Sequence, residues 1–294
     1  MYYEENKVSV VLCTYNGSAF LEKQLNSILE QTYDINEIII VDDCSSDNTK
    51  EILKMFQDKN RNIKLFFNDV NLGSNKSFKL AISLATNNYI ALCDQDDIWF
   101  RNKIEIQMNA INLKSHDDGK PLVCFHDLRL IDQNDIVTNN SFWKLHKFVP
   151  KKFTFRKLLI VNIITGCTCI INRCMKEEML KSDMEHIIMH DYLLALIGYG
   201  FGNVVYIEEP LMYYRSHTGT VTEKEKITFG NRIKSFISRV NDGNYLLPYI
   251  LQIEKVNYLY GDKFDLQRKK LVDSFIGLKN KGLLNRMIYK WLLN

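Results

Sequence analysis

Asp94-Gln95-Asp96-Asp97 directly follows the apolar run Tyr89-Ile90-Ala91-Leu92-Cys93. A run of that length bounded by polar residues reads as a buried strand, which delivers the carboxylates at its carboxyl end. Open α/β sheets hold their ligands at that edge. Two aspartates one residue apart offer hard oxygen ligands, suited to a Mg²⁺ or Mn²⁺ ion that also grips a diphosphate. The competing reading is a set of solvated acids in a loop. A calcium loop is excluded, because no glycine and terminal glutamate follow at the required offsets.

The elements that position this tetrad repeat upstream. Residues 8–12 predict a strand, Thr14-Tyr15-Asn16-Gly17 a turn, and residues 20–31 a helix with apolar positions at helical spacing. Residues 37–41 predict a second strand ending in Asp42-Asp43-Cys44-Ser45-Ser46-Asp47, with Ser46 or Asp47 capping the helix that follows. Residues 63–67 predict a third strand, Asn71-Leu72-Gly73 a turn, residues 74–85 a third helix and residues 89–93 the fourth strand. This alternation predicts an α/β fold with a mostly parallel sheet wound with helices. Further on, the apolar run 158–164 precedes Gly166-Cys167-Thr168, and His190-Asp191 opens an apolar helix over 192–199 that ends at Gly200 and Gly202. Residues 204–207 predict a strand, followed by Tyr213-Tyr214-Arg215-Ser216-His217. The glycines from Gly198 to Gly202 lack dinucleotide-binding spacing and read as helix termination.

Four stretches, in order and each at a strand end, resemble the family 2 glycosyltransferases, inverting nucleotide-sugar enzymes of the GT-A fold. They are Cys13 to Gly17, Val41 to Thr49, Asn71 to Gly73 and Cys93 to Trp99. The longer form Asp94-Gln95-Asp96-Asp97-Ile98-Trp99 is most similar to the bacterial branch containing rhamnosyltransferases of surface polysaccharide synthesis. The resemblance spans roughly residues 7–220. It implies that Thr14, Tyr15 and Asn16, with Asn71 and Gly73, line the nucleotide pocket. Asp42 or Asp43 would accept from the imide N–H of a uracil or thymine, a role open to an ionised carboxylate because it is purely an acceptor. Asp94 and Asp96 would hold the metal and the ribose side of the donor.

The same resemblance makes Asp191 the catalytic base, at the start of its helix, and sets Arg215 and His217 against the diphosphate or its metal. It also puts Trp99, Gly166, Cys167 and His190 on the acceptor side. Plainer readings stand beside these: helix-capping acids at Asp42 and Asp43, and a structural His217. The rival reading of Asp191 is an acid favoured only by the helix dipole. The similar enzymes carry tryptophan just after the His-Asp pair, where this chain has Tyr192 and Leu193.

With 294 residues and 46% hydrophobic content, the chain can bury one large core and a small appendage. Seven cysteines without a CxxC pair indicate neither a disulfide framework nor a zinc site. A reducing cytoplasm fits, since the acidic start is no signal peptide and no apolar stretch reaches membrane-spanning length. The overall charge of +3 hides an asymmetry: residues 226–294 hold 13 Lys plus Arg against 5 Asp plus Glu, or +8, and the first 225 hold 25 against 30, or −5. The expected division is a GT-A catalytic domain over 1–225 and a basic helical extension over 226–294. That extension would either lie on an anionic membrane or pack on the catalytic domain. A nucleic-acid role finds no supporting motif.

The expectation is a metal-dependent inverting glycosyltransferase, cytoplasmic or peripheral on the inner membrane face. It would use a dTDP- or UDP-sugar, rhamnose among the candidates, and a lipid-linked glycan acceptor of capsule or O-antigen assembly. Two alternatives are weaker. A haloacid dehalogenase-type phosphatase places its Asp-x-Asp after the first core strand, not the fourth. A non-catalytic sugar-binding relative would have no need to keep Asp94, Asp96 and Asp191 together.

Overall fold

The computed structural model describes residues 6–114, 119–216 and 246–280. Strands β1 (Val8–Thr14), β2 (Ile35–Asp42), β3 (Ile63–Phe67) and β4 (Tyr89–Cys93) form the parallel half of one sheet, in the order β3-β2-β1-β4. β1 and β2 are rich in Ile, Val and Leu on both faces, the pattern of a strand covered by helices on either side, whereas the edge strand β3 leaves Lys64 and Phe67 exposed. The sheet continues through β8 (Ile170–Asn172), antiparallel to both β4 and β6 (Leu122–Ile131), then through β9 (Asn203–Arg215), parallel to β6, to β5 (Ile98–Trp99). The short strand β7 (Val137–Asn139) pairs with β6.

Alternation along the strands divides the core in two. Val11, Ile39, Val41, Ile90 and Leu92 face one layer, built from α3 (Ser74–Leu84), α6 (Phe155–Leu158), α7 (Arg173–Leu180) and α8 (His190–Phe201). Val10, Leu12, Ile38, Ile40 and Ala91 face the other, built from α1 (Leu21–Leu29), α2 (Thr49–Lys59) and α4 (Lys103–Leu113). Two helices we number α9 (Leu247–Tyr260) and α10 (Leu266–Ile276) join the first layer, burying Ile250, Ile253, Val256, Val272 and Phe275.

The chain leaves β1 for β2 on one side and later returns to β4 on the other. The carboxyl ends of β1 and β4 therefore flank the switch point at which open α/β sheets form their ligand crevice. Two predicted boundaries move. Helix α8 runs from His190 through Gly200 and stops only at Gly202, where a Cβ would come within 2.4 Å of the Pro121 carbonyl oxygen. The strand predicted at 204–207 extends to Arg215, passing Pro210 where its pairing with β6 shifts register. Such a bulge is where proline is tolerated inside a sheet. Among the described residues no helix is long and apolar enough to cross a membrane.

Candidate active site

Three loops close over the first strand ends. Thr14 ends β1 buried, donating its hydroxyl to Asp42 (2.9 Å), which also accepts from the Ser45 hydroxyl (2.5 Å) and N–H (3.0 Å). Asp43 accepts from the Asn68 amide and the N–H groups of Leu72 and Gly73, each at 2.8 Å. Burial opposes the Asp43 charge, but the Leu72 N–H, Asn68, Ser77 and the Gly73 N–H outweigh it and lower its pKa. A carboxylate has about four acceptor sites; Asp42 uses three of them, and Asp43, with Ser77 as its fourth donor, uses all four. Gly73 stands at φ 80°, a conformation available to glycine at no steric cost, and its N–H also donates to the Asn71 side-chain oxygen (3.1 Å). Asn16, at φ 49°, uses its side-chain oxygen to take the Ser46 N–H (2.9 Å). Tyr15 is left 49% exposed above this scaffold, a large ring on the crevice rim.

The acidic loop after β4 is tied across the switch point by Gln95. Its amide oxygen accepts from the Tyr15 N–H (2.8 Å) and its amide nitrogen donates to the Tyr15 carbonyl (3.1 Å). A Cβ on Gly17 would fall 2.1 Å from that amide oxygen, so a side chain there would displace the Gln95 amide. Asp94 is partly open and Asp97 fully buried, and their carboxylates lie within 4.8 Å of each other and of the Cys167 thiol. Burial, then Asp96, then Asp191 push the Asp94 carboxyl up to about 7. Burial and the neighbouring Asp96 and Asp94 raise Asp97 as well. The Asp96 carboxylate, expected to share the metal with Asp94, is not part of the three-residue group.

Opposite stands Asp191, in the first turn of α8. One of its oxygens accepts from the Asn162 amide (2.9 Å) and the other from the Gly166 N–H (3.0 Å). Burial nevertheless pushes its carboxyl up to about 7. The helix start is pinned by Asn75, whose side-chain oxygen takes the His190 N–H (2.7 Å), while the His190 ring stacks on Phe78 with centroids 4.1 Å apart. Gly166 fits because a Cβ there would meet His190 Nε2 at 2.7 Å. The apolar run 158–164 is thus the end of α6 and a bend that presents Asn162, and Gly166 to Thr168 form a 3₁₀ turn beneath Asp191.

Two expected residues are placed differently. Arg215 does not offer its guanidinium to a diphosphate. It is 1% exposed, pairs with Asp135 (2.5 Å), and donates to the main-chain oxygens of Asp96 (2.8 Å) and Asp132 (2.9 Å). It fastens the acidic loop from behind, and its own N–H reaches the Asp97 carboxylate (3.2 Å). Trp99 does not face an acceptor: it is 3% exposed in the second core layer, with the Lys103 ammonium 3.8 Å from its ring centroid. Cys167 is fully buried and His190 nearly so. His217 lies outside the described residues. Sequence reading missed Asn162, Asn75 and Gln95 as supports and Asp97 as part of the acidic group. Only Asp97 and Gln95 carried a signal, by standing inside the tetrad.

Residues 9–182, more than half of the chain, match the family described as Glycosyl transferase family 2. The UDP-Glc:alpha-D-GlcNAc-diphosphoundecaprenol beta-1,3-glucosyltransferase WfgD of Escherichia coli is 33% identical over 165 residues, covering 56% of this chain and 59% of WfgD. A Bacillus subtilis glycosyltransferase, TuaG, assigned provisionally to teichuronic acid biosynthesis, is 35% identical over 159 residues, covering 50% of this chain and 63% of TuaG. The chain spans less than two thirds of either relative. Among solved structures, S. aureus TarS 1-349 in complex with UDP-GlcNAc has a TM-score of 0.55 at 19% identity, covering 92% of this chain and 80% of that one, a likeness of fold. The strand-end loops, the curled sheet and the match over residues 9–182 lead to one conclusion: the chain belongs to glycosyl transferase family 2.

Proposed function

We propose that this chain is an inverting, divalent-metal-dependent glycosyltransferase. It moves a sugar from a UDP- or dTDP-sugar to a hydroxyl of a lipid-linked glycan in bacterial surface polysaccharide synthesis. The observation that carries this reading is the convergence of Asp94 and Asp191 at one sheet edge, both held near a pKa of about 7, with Asp191 contributing to the rise at Asp94. A general base works best when its pKa lies close to the operating pH. Asp191 takes the proton of the acceptor hydroxyl while that oxygen bonds to the anomeric carbon. The bond from that carbon to the diphosphate oxygen breaks on the opposite face, releasing the nucleoside diphosphate. Asn162 and the Gly166 N–H hold the carboxylate in place for this step.

The donor set fits a divalent cation. Crowded carboxylates repel one another, and one Asp97 oxygen is buried without a hydrogen-bond partner among the described residues. Asp94 and Asp96 would hold Mg²⁺ or Mn²⁺ with Asp97 behind them, while Cys167 is too soft a donor to favour such ions. A bound cation there would supply positive charge to offset the negative charge developing on the leaving nucleotide. Thr14, Tyr15 and Asn16 form the nucleotide side, with Asp42 or Asp43 as the acceptor for the base imide.

The names of WfgD and of the TarS complex support uridine as the nucleotide, and that of WfgD supports a diphosphate-linked lipid acceptor. Rhamnose stays in the donor panel on the motif resemblance alone. The +8 of residues 226–294 supports a peripheral membrane position, although residues 281–294, with Trp291, lie outside the described residues. A donor-turnover screen across UDP- and dTDP-sugars, with Mn²⁺ and with EDTA, tests the reading. No turnover of any of them in Mn²⁺ would end it.

A further inference from the structure

We propose that the outer face of residues 142–157 docks the protein on an anionic lipid bilayer. No carboxylate occurs between Asp135 and Glu177, whereas Lys144, Lys147, Lys151, Lys152, Arg156 and Lys157 fall within 14 residues. All but Lys157 are exposed, and none of the six forms an ion pair with a described carboxylate. Set among them are Leu145, 49% exposed, and Val149, 46% exposed.

This surface is fixed from beneath. In α5 (Phe142–His146), Trp143 is 5% exposed, packs edge-on against Phe125 at 5.7 Å, and donates its N–H to Asp127 (3.0 Å). Pro150 is buried, and Phe155 packs on Phe264 at 5.3 Å. Lys147 ends α5 in the left-handed region, at φ 57°, so the chain turns while its aromatic anchors stay inside. The cations are thus held on a platform, with aliphatic tips between them. Headgroup phosphates attract such cations and the acyl boundary accepts the tips. A nucleic acid would use the charge but leave Leu145 and Val149 without a role. The same segment runs on through α6 into Asn162 and Gly166, the two partners of Asp191. Docking here would therefore bring the candidate base close to a lipid-linked acceptor. That purpose rests on the proposed function, but the binding does not.

Flotation of the full chain with phosphatidylglycerol-containing vesicles and with neutral phosphatidylcholine vesicles is the test, at low and high salt. Wild type should bind the anionic vesicles alone and be released as salt rises. The quadruple variant Lys144→Glu, Lys147→Glu, Lys151→Glu, Lys152→Glu should bind at least about a hundredfold more weakly, since each cation near the surface adds roughly fivefold. Leu145→Ser with Val149→Ser should weaken binding about tenfold at unchanged charge. Unchanged melting and UDP binding in both variants would show that the fold is intact. Wild type failing to bind anionic vesicles overturns the proposal. So does a quadruple variant that binds like wild type, or an apolar variant that loses nothing while the quadruple variant loses RNA binding. Since no arm uses donor turnover, a failure here is distinct from a failure of the transferase reading.

Discussion

Asp191→Asn separates the chemistry of the site from its stability. In the native fold the two carboxylate oxygens accept from Asn162 and from the Gly166 N–H. Asn162 cannot turn to suit an amide, because it also donates to the Ile164 carbonyl (2.8 Å) and accepts the Ile164 N–H (3.0 Å). Asparagine at 191 therefore keeps one bond and sets donor against donor at the other, a loss of about 1–3 kcal/mol. The charge term runs the other way. Burial raises the native carboxyl from 3.8 to about 7, and that shift makes the ionised form cost roughly 4 kcal/mol once the pH exceeds about 7. A raised folded pKa means this cost is absent below about pH 4, grows up to about pH 7 and is then constant. The variant should melt no lower than wild type near pH 8, and should lose that relative advantage near pH 5. Its turnover should fall on the order of 10²–10⁴-fold, with nucleotide affinity unchanged. Melting curves at both pH values, calorimetry with UDP and a nucleotide-release assay make the comparison. Turnover within about threefold of wild type, far inside that range, would reassign the base. A variant several degrees less stable near pH 8 would refute the burial argument.

Three further outcomes follow from the same geometry. Because ionised Asp191 is the active form, wild-type kcat/KM should rise about tenfold per pH unit up to about 7 and then level; a flat profile across that range would remove the base from the mechanism. UDP should bind more tightly in Mn²⁺ than in EDTA, and Asp94→Asn should erase the difference, so equal affinity in both buffers in wild type would contradict the metal reading. Gln95→Ala deletes both bonds to Tyr15 and should weaken nucleotide binding about tenfold, from two hydrogen bonds worth about 0.5–1.5 kcal/mol each, while Gln95→Glu keeps only the acceptor. Unaltered affinity in Gln95→Ala would show that Tyr15 holds its place without the clamp.

The first half of the chain was legible because its strands are short apolar runs, each closed by a polar turn. Residues 8–12, 37–41, 63–67 and 89–93 all lie within strands, and the loops after them carry the acids where expected. Position within the sheet was less accessible. Nothing local tells that β8 enters antiparallel beside β4, or that β6 and β9 pair in parallel beyond it. The same limit explains Arg215, whose burial depends on Asp135 and on the backbone of the acidic loop, far away in sequence. Trp99 lies in the core, its ring covered by Lys103, the first residue of the following helix. Cys167 is expected on the acceptor side, and its position against Asp94 and Asp97 is a contact that only the fold creates.

The central claim is that the acidic loop after β4 and Asp191 serve a single inverting transfer. Anomeric NMR of the product tests it most directly, using the full chain, Mn²⁺, a panel of UDP- and dTDP-sugars and a short-chain lipid-diphosphate glycan as acceptor. The account predicts one donor that yields a glycoside of inverted configuration with stoichiometric nucleoside diphosphate, and no product from Asp191→Asn. A product of retained configuration, or undiminished product from the variant, would contradict it.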